Sequence, residues 1–84
     1  MGEMMRAVID ISHDISPLMP VLSEVISGCA YNPDAQMMSF RHFDMGISVE
    51  PHKIVIYNAE DEATAQMVIN WLIKLIDGAN NKEI

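Results

Sequence analysis

A single cysteine, Cys29, is the feature that most restricts what this chain can fold into. One thiol cannot form an intramolecular disulfide, and it cannot supply the several thiolates that a zinc cage or an iron–sulfur cluster takes from one chain. At 84 residues the chain is one domain, of a size at which roughly 60% of the unfolded surface is buried on folding. We therefore expect a fold that is held together by burial of side chains alone.

The charge of the chain argues against several classes of partner. Twelve acidic residues against five basic ones give a formal net charge of −7, which would repel a phosphate backbone and suits a basic partner better. The first residues lack the pattern of a signal peptide, and no run approaches the ~20 apolar residues that span a bilayer. The sequence thus predicts a cytoplasmic, acidic protein that binds neither nucleic acid nor membrane.

Four segments have the composition and the periodicity of β-strands. Alternation is clear at the start, where Ala7, Ile9 and Ile11 share one face. The stretch Tyr31–Ala35 is rich in turn-forming residues and is predicted to be a turn. The predicted strands are Arg6–Ile11, Met37–Phe43, Gly46–Glu50 and Lys53–Tyr57. The last three form an antiparallel meander because their connections are short.

Two segments have the spacing of helices. The first is predicted from Pro17 to about Ser27, with Asp14 or Ser16 as its N-terminal cap and Gly28 as its stop. The second begins after a cap at Asn58 or Asp61 and ends within residues 77–80. Its predicted core stripe is Ala65, Val68, Ile69, Leu72, Leu75 and Ile76.

These elements predict an α+β fold of one domain. The order is β-α-β-β-β-α, which gives a two-layer sandwich with both helices on one face of a mostly antiparallel, four-stranded sheet. The domain is expected to span residues 1–80, followed by a frayed C-terminal tail at 81–84. In the meander we expect Ile47, Val49, Ile54 and Ile56 to face the core, and Ser48, Glu50 and Lys53 to face water.

The residues that could carry chemistry do not form a recognisable motif. His13, His42 and His52 lack metal-ligand spacing, so we expect solvated histidines and no metal or cofactor site. Structural roles are expected for the acidic candidates, as turn formers, wet strand positions or a helix N-terminus. These candidates are Asp44, Glu50, Glu60, Asp61 and Glu62. Cys29 is expected to be a partly buried thiol, not a nucleophile, and no catalytic residue is predicted.

Two surfaces are candidates for binding a partner. On the last helix Met67 and Trp71 lie four residues apart beside the core stripe, with Ile73 on the other flank, and they either widen the core or form a partner or dimer surface. The second candidate is the free face of the sheet, which is either a docking face or simply solvated. Its predicted residues are Met37, Ser39, Arg41, Phe43, Val55 and Tyr57.

Short stretches along most of the chain resemble a known family. They are Asp14–Pro20, Val25–Gly28, Tyr31–Pro33, Pro51–Ile54, Ala59–Glu62 and Trp71-Leu72. This pattern is similar to the N-terminal region of a family of iron–sulfur-binding proteins of methanogenic archaea and anaerobic bacteria. In longer members that region precedes a four-cysteine cluster domain, which these 84 residues do not contain. The resemblance therefore implies an accessory domain in anaerobic metabolism and gives no residue of this chain a cluster-binding role.

Taken together, the sequence predicts a non-enzymatic module that binds a protein. The partner is unknown, and the resemblance suggests an iron–sulfur or other redox protein; a homodimer is a further possibility. The candidate partner surface comprises Met67, Trp71, Ile73, Arg41, Phe43 and Tyr57. The alternative is a regulatory domain that binds a small ligand or a metal through the sheet face and His42 or His52.

Overall fold

The computed structural model describes residues 5–42 and 44–81 of the chain. The strands are β1 (Met5–Asp10), β2 (Ala30–Asn32), β3 (Met37–His42), β4 (Met45–Glu50) and β5 (Lys53–Ala59). The helices are α1 (Met19–Val25), preceded by a 3₁₀ turn at Ser16–Leu18, and α2 (Glu62–Asn80). Phe43, which was predicted at the end of a strand and on the candidate surface, lies outside the described residues.

The strands form one antiparallel sheet in the order β1-β5-β4-β3-β2. The α+β class and the meander of β3, β4 and β5 are confirmed, but the prediction of four strands was wrong. The additional strand is β2, where Ala30, Tyr31 and Asn32 pair with β3. A strand of three residues is too short to show a periodicity, and the Asn-Pro-Asp sequence that overlaps its end favours a turn.

The turn that follows β2 begins at Asn32 and not at Tyr31. The side-chain oxygen of Asn32 accepts hydrogen bonds from the amides of Asp34 and Ala35, at 3.0 and 3.2 Å. The amide of Gln36 then donates to the carbonyl of Pro33 at 3.3 Å, which closes the hairpin loop. Asn32 therefore ends a strand and starts a turn at the same time.

The first helix is shorter than its apolar periodicity predicts. The Asp14 carboxylate accepts the amide of Ser16 at 2.8 Å, and a 3₁₀ turn precedes the α-helix proper. Pro20 therefore falls within the first turn of α1. The backbone N–H that proline lacks would have no acceptor within the helix at this position. The backbone becomes extended at Ile26, before Gly28 is reached, and the Ile26 side chain is buried.

The second helix begins and ends where it was predicted to. Asp61 is the N-cap, because its carboxylate accepts the amide of Thr64 at 2.7 Å. The helix ends at Asn80, within the predicted residues 77–80, and Ala79 is buried against the core. Of the predicted tail only Asn81 is described. None of the described helices is long and apolar enough to cross a membrane.

Both helices pack on one face of the sheet and share a single core. The predicted inward residues of β4 and β5, Ile47, Val49, Ile54 and Ile56, are buried as expected. They meet Met19 and Leu22 of α1 and the stripe of α2, in which Leu75 is only half-buried. Each large apolar side chain that is fully buried contributes about 1.5–3 kcal/mol of transfer free energy. Neither described helix covers the other face of the sheet, here called the open face.

Candidate functional site

A row of residues with charged and aromatic side chains crosses the open face near one end of the strands. The pairing places Arg41 of β3 opposite Gly46 of β4, and Gly46 opposite Tyr57 of β5. The guanidinium carbon of Arg6 on β1 lies 5.5 Å from the centre of the Tyr57 ring, within cation–π distance. Gly46 has no side chain, and Tyr57 lies beside it, with its Cδ2 3.9 Å from the position that a Cβ of residue 46 would occupy.

The next row consists of small and β-branched side chains. Ser39 pairs with Ser48, Ser48 with Val55, and Val55 with Val8, while Ala30 extends the row onto β2. Val55 is only 1% exposed although it lies outside the helix-side core cluster. Ser48, which was expected to face water, is also buried. Both lie on central strands, with paired neighbours on either side. The middle of the open face is therefore a recessed floor and not a solvated polar surface.

A trough of about 570 Å³ occupies this recess. Its lining includes Ala30, Ser39, Arg41, Gly46, Ser48 and Tyr57, and the Ser27-Gly28 segment after α1 borders it. Arg41 and Tyr57 were predicted to belong to the candidate surface, whereas the small residues Gly46 and Ser48 were not. Alternation along β4 already places Gly46 and Ser48 on one face, so their small size was the available signal.

The charge of the trough differs from that of the whole chain. Arg41 is exposed beside the recess. Among the residues that the structure describes, the one ion pair within 4.0 Å joins Lys53 to Glu50, at 3.9 Å on the row beyond the small residues. Arg41 therefore forms no ion pair within the described part of the chain. A protein with a net charge of −7 thus presents an exposed guanidinium without an ion-pair partner where the sheet is recessed.

The three predicted surface residues of α2 differ in exposure. Trp71 is half-buried: its ring meets Phe40 edge-on with centroids 6.0 Å apart and stacks on His42 at 4.6 Å. It therefore packs against the core, as one of the two interpretations predicted. Met67, one turn away, is 64% exposed, and Ile73, on the other flank of the helix, is 41% exposed.

The histidines occupy three different environments. His13 is exposed, and the Nδ1 of the exposed His52 lies 3.2 Å from the carbonyl oxygen of Ile11. His42 is half-buried against Trp71, so the expectation of a solvated side chain was wrong for this residue. Within residues 5–42 and 44–81, no group of three or more His, Cys, Asp or Glu side chains is placed to hold a metal ion.

The surroundings of three carboxylates and of the Cys29 thiol are those of groups with a structural role. Hydrogen bonds from the amide of Ser16 hold the pKa of Asp14 below its ordinary value, and bonds from the first turn of α2 lower the pKa of Asp61 in the same way. Asp44 adopts a positive φ of 64° in the turn between β3 and β4. Burial raises the pKa of the Cys29 thiol, which is opposite to what a nucleophile requires.

Comparison with known protein families, with curated proteins and with solved structures finds no match for this chain. The similarity to the iron–sulfur-binding family therefore stays a prediction from short stretches of sequence.

Proposed function

We propose that this chain is a non-enzymatic protein-interaction module that binds a segment of a partner protein in the trough of its open face. The observation that carries the proposal is the recess itself, in which Gly46, Ser48 and Ser39 leave a volume of about 570 Å³ between Arg41 and Tyr57. An aromatic ring and an arginine beside a desolvated floor are the side chains that most often anchor a protein partner.

The chemistry of the trough favours a segment that carries a carboxylate. A guanidinium can bind a carboxylate through two parallel hydrogen bonds, and Arg41 has no carboxylate partner within the described residues. Apolar side chains of the segment would lie against the Tyr57 ring, which lines the trough. The net charge of −7 favours a partner that is basic overall, so the bound segment would be an acidic or C-terminal stretch of such a protein.

The class of partner is a separate part of the proposal. From the resemblance to the iron–sulfur-binding family we infer a partner with an iron–sulfur or other redox centre, and a cytoplasmic location for the complex. This part rests on the similarity of sequence alone. It can fail while the binding role of the trough stands.

Co-purification with matched variants tests the binding role. The tagged chain, expressed in its own host, is compared with Ser39→Trp, which fills the trough, and with Arg41→Glu, which reverses its charge. Asn70→Trp, an exposed position on α2, is the control for a new surface tryptophan. We expect a partner that wild type and Asn70→Trp recover equally and that both trough variants lose at least tenfold. Equal recovery by all four proteins would contradict the proposal, and iron analysis of the recovered partner tests the redox part.

A small-molecule ligand is the second candidate for the same trough. Its volume of about 570 Å³ lies within the roughly 300–1,000 Å³ that is typical of ligand sites. A ligand that binds only the folded state raises the melting temperature by mass action. If a low-molecular-mass extract of the host stabilises wild type but not Ser39→Trp, and no protein is recovered, the small-ligand function replaces the protein-binding one.

A further inference from the structure

The outer edge of β1 is unpaired within the described residues. β1 is a six-residue strand at the end of the sheet, and its only partner among those residues is β5. The opposite edge strand, β2, has three residues. Natural edge strands are commonly protected by proline, by charged side chains or by a bulge within the strand. β1 contains no proline, its two charged side chains, Arg6 and Asp10, have opposite signs, and the irregularity in its pairing falls on β5, where Asn58 has a φ of 63°.

The side of β1 that faces the helices is also incompletely covered. Ile9 is half-buried, and together with Ile11 and Ile73 it lines an apolar groove of about 220 Å³ between the strand and α2. On the open face Val8 is 45% exposed. Both faces of this edge thus present apolar side chains that a further strand would cover.

We propose that a second copy of this chain pairs with β1 in antiparallel fashion, about a two-fold axis at Val8. The argument is charge complementarity. In this register Arg6 lies opposite Asp10 of the second copy, and the symmetry makes the same pair twice. Val8 meets its own equivalent on the open face, and Ala7 meets Ile9 of the second copy on the helix side. A two-fold axis requires this self-complementary order of charges, and oppositely charged cross-strand neighbours stabilise the pairing.

The dimer joins the two sheets into one continuous sheet and leaves both troughs open. None of the described residues at the pairing edge lines the trough, and the contact between them is that of Arg6 with the Tyr57 ring.

A charge-swap experiment tests the register directly. Sedimentation equilibrium of wild type at rising concentration should reach twice the 9.4 kDa mass of the chain. Arg6→Glu alone places like charges opposite each other twice in its homodimer, and so does Asp10→Lys. In an equimolar mixture of the two variants, position 6 of each chain faces an opposite charge at position 10 of the other. We expect each variant to be monomeric alone and the mixture to be dimeric, with circular dichroism confirming that both are folded.

A measurement without mutations covers the case in which a variant fails to fold. If the dimer forms through β1, the amides on the outer edge of that strand exchange with solvent at least tenfold more slowly at high protein concentration than at low concentration. Wild type that stays monomeric at several hundred micromolar, variants that dimerise alone, or β1 exchange that is independent of concentration would overturn the proposal.

Discussion

The imidazole of His42 lies flat against the indole of Trp71, with ring centroids 4.6 Å apart and planes inclined by 7°. The contact joins the end of β3 to the flank of α2 and fixes one side of the helix on the sheet.

This stack makes Trp71 a reporter of its own contact with His42. Trp71 is the only tryptophan in the chain, so its emission responds to what covers its ring. His42→Ala should uncover one face of the indole and move its emission maximum to longer wavelength, whereas His13→Ala and His52→Ala should leave the maximum unchanged. An unchanged maximum in His42→Ala would show that the two rings are not in contact in solution.

Two substitutions on α2 should differ strongly in their effect on stability. Leu72 is fully buried in the core, and Leu72→Ala should lower the free energy of unfolding by about 2–5 kcal/mol because it leaves a cavity. Met67 is exposed on the same helix, and Met67→Ala should change the free energy of unfolding by no more than about 0.5 kcal/mol. Urea denaturation measures both. A large loss in Met67→Ala would mean that its side chain is covered in solution.

Two turn positions should respond in opposite directions. Gln36 adopts a positive φ of 53°, which costs a residue with a Cβ roughly 1 kcal/mol, so Gln36→Gly should stabilise the chain. Gly28 has a φ of 71° with open space around its Cβ position, so Gly28→Ala should destabilise it by about the same amount through backbone strain alone. Thermal unfolding of the two variants provides the check. A shift of the same sign in both would contradict the backbone assignment.

The N-cap of α2, Asp61, should make the stability of the protein sensitive to acid. The pKa of Asp61 is lowered from 3.8 by hydrogen bonds from the first turn of α2, so its folded form prefers the charged state. The resulting stabilisation is complete well above pH 3.8 and is lost as the pH falls through the lower folded pKa. Asp61→Asn keeps a capping oxygen but does not titrate, so its stability should depend less on pH below about 4. Wild type and variant with identical acid profiles would exclude Asp61 as a source of the effect.

Much of the fold could be predicted because alternation and helical spacing are strong where faces are buried. Ile47 and Val49 alternate along β4, as Ile54 and Ile56 do along β5, and all four are buried. β2 could not be found in this way, since its three residues are dominated by turn chemistry and depend on pairing with β3. The open face was predicted from the same alternation.

The trough itself was harder to predict than the face that holds it. Arg41 and Tyr57 stand out in a sequence by their size and charge. A recess forms instead where side chains are small or absent. Gly46 and Ser48 indicate one only when the register places Gly46 between Arg41 and Tyr57 and Ser48 in the row beside it. The contact of Trp71 with His42 likewise depends on where β3 ends. The apolar spacing along α2 carries no information about that position.

Site-specific photo-crosslinking tests the central claim, that the trough binds a partner protein. A photoreactive phenylalanine analogue replaces Tyr57 at the trough or, in the matched control, Asn70 on the exposed side of α2. Irradiation in the host cell should link the chain covalently to one distinct protein from position 57 and not from position 70. Arg41→Glu in the same background should reduce that product at least tenfold. Equal products from both positions, or none from position 57, would contradict the account.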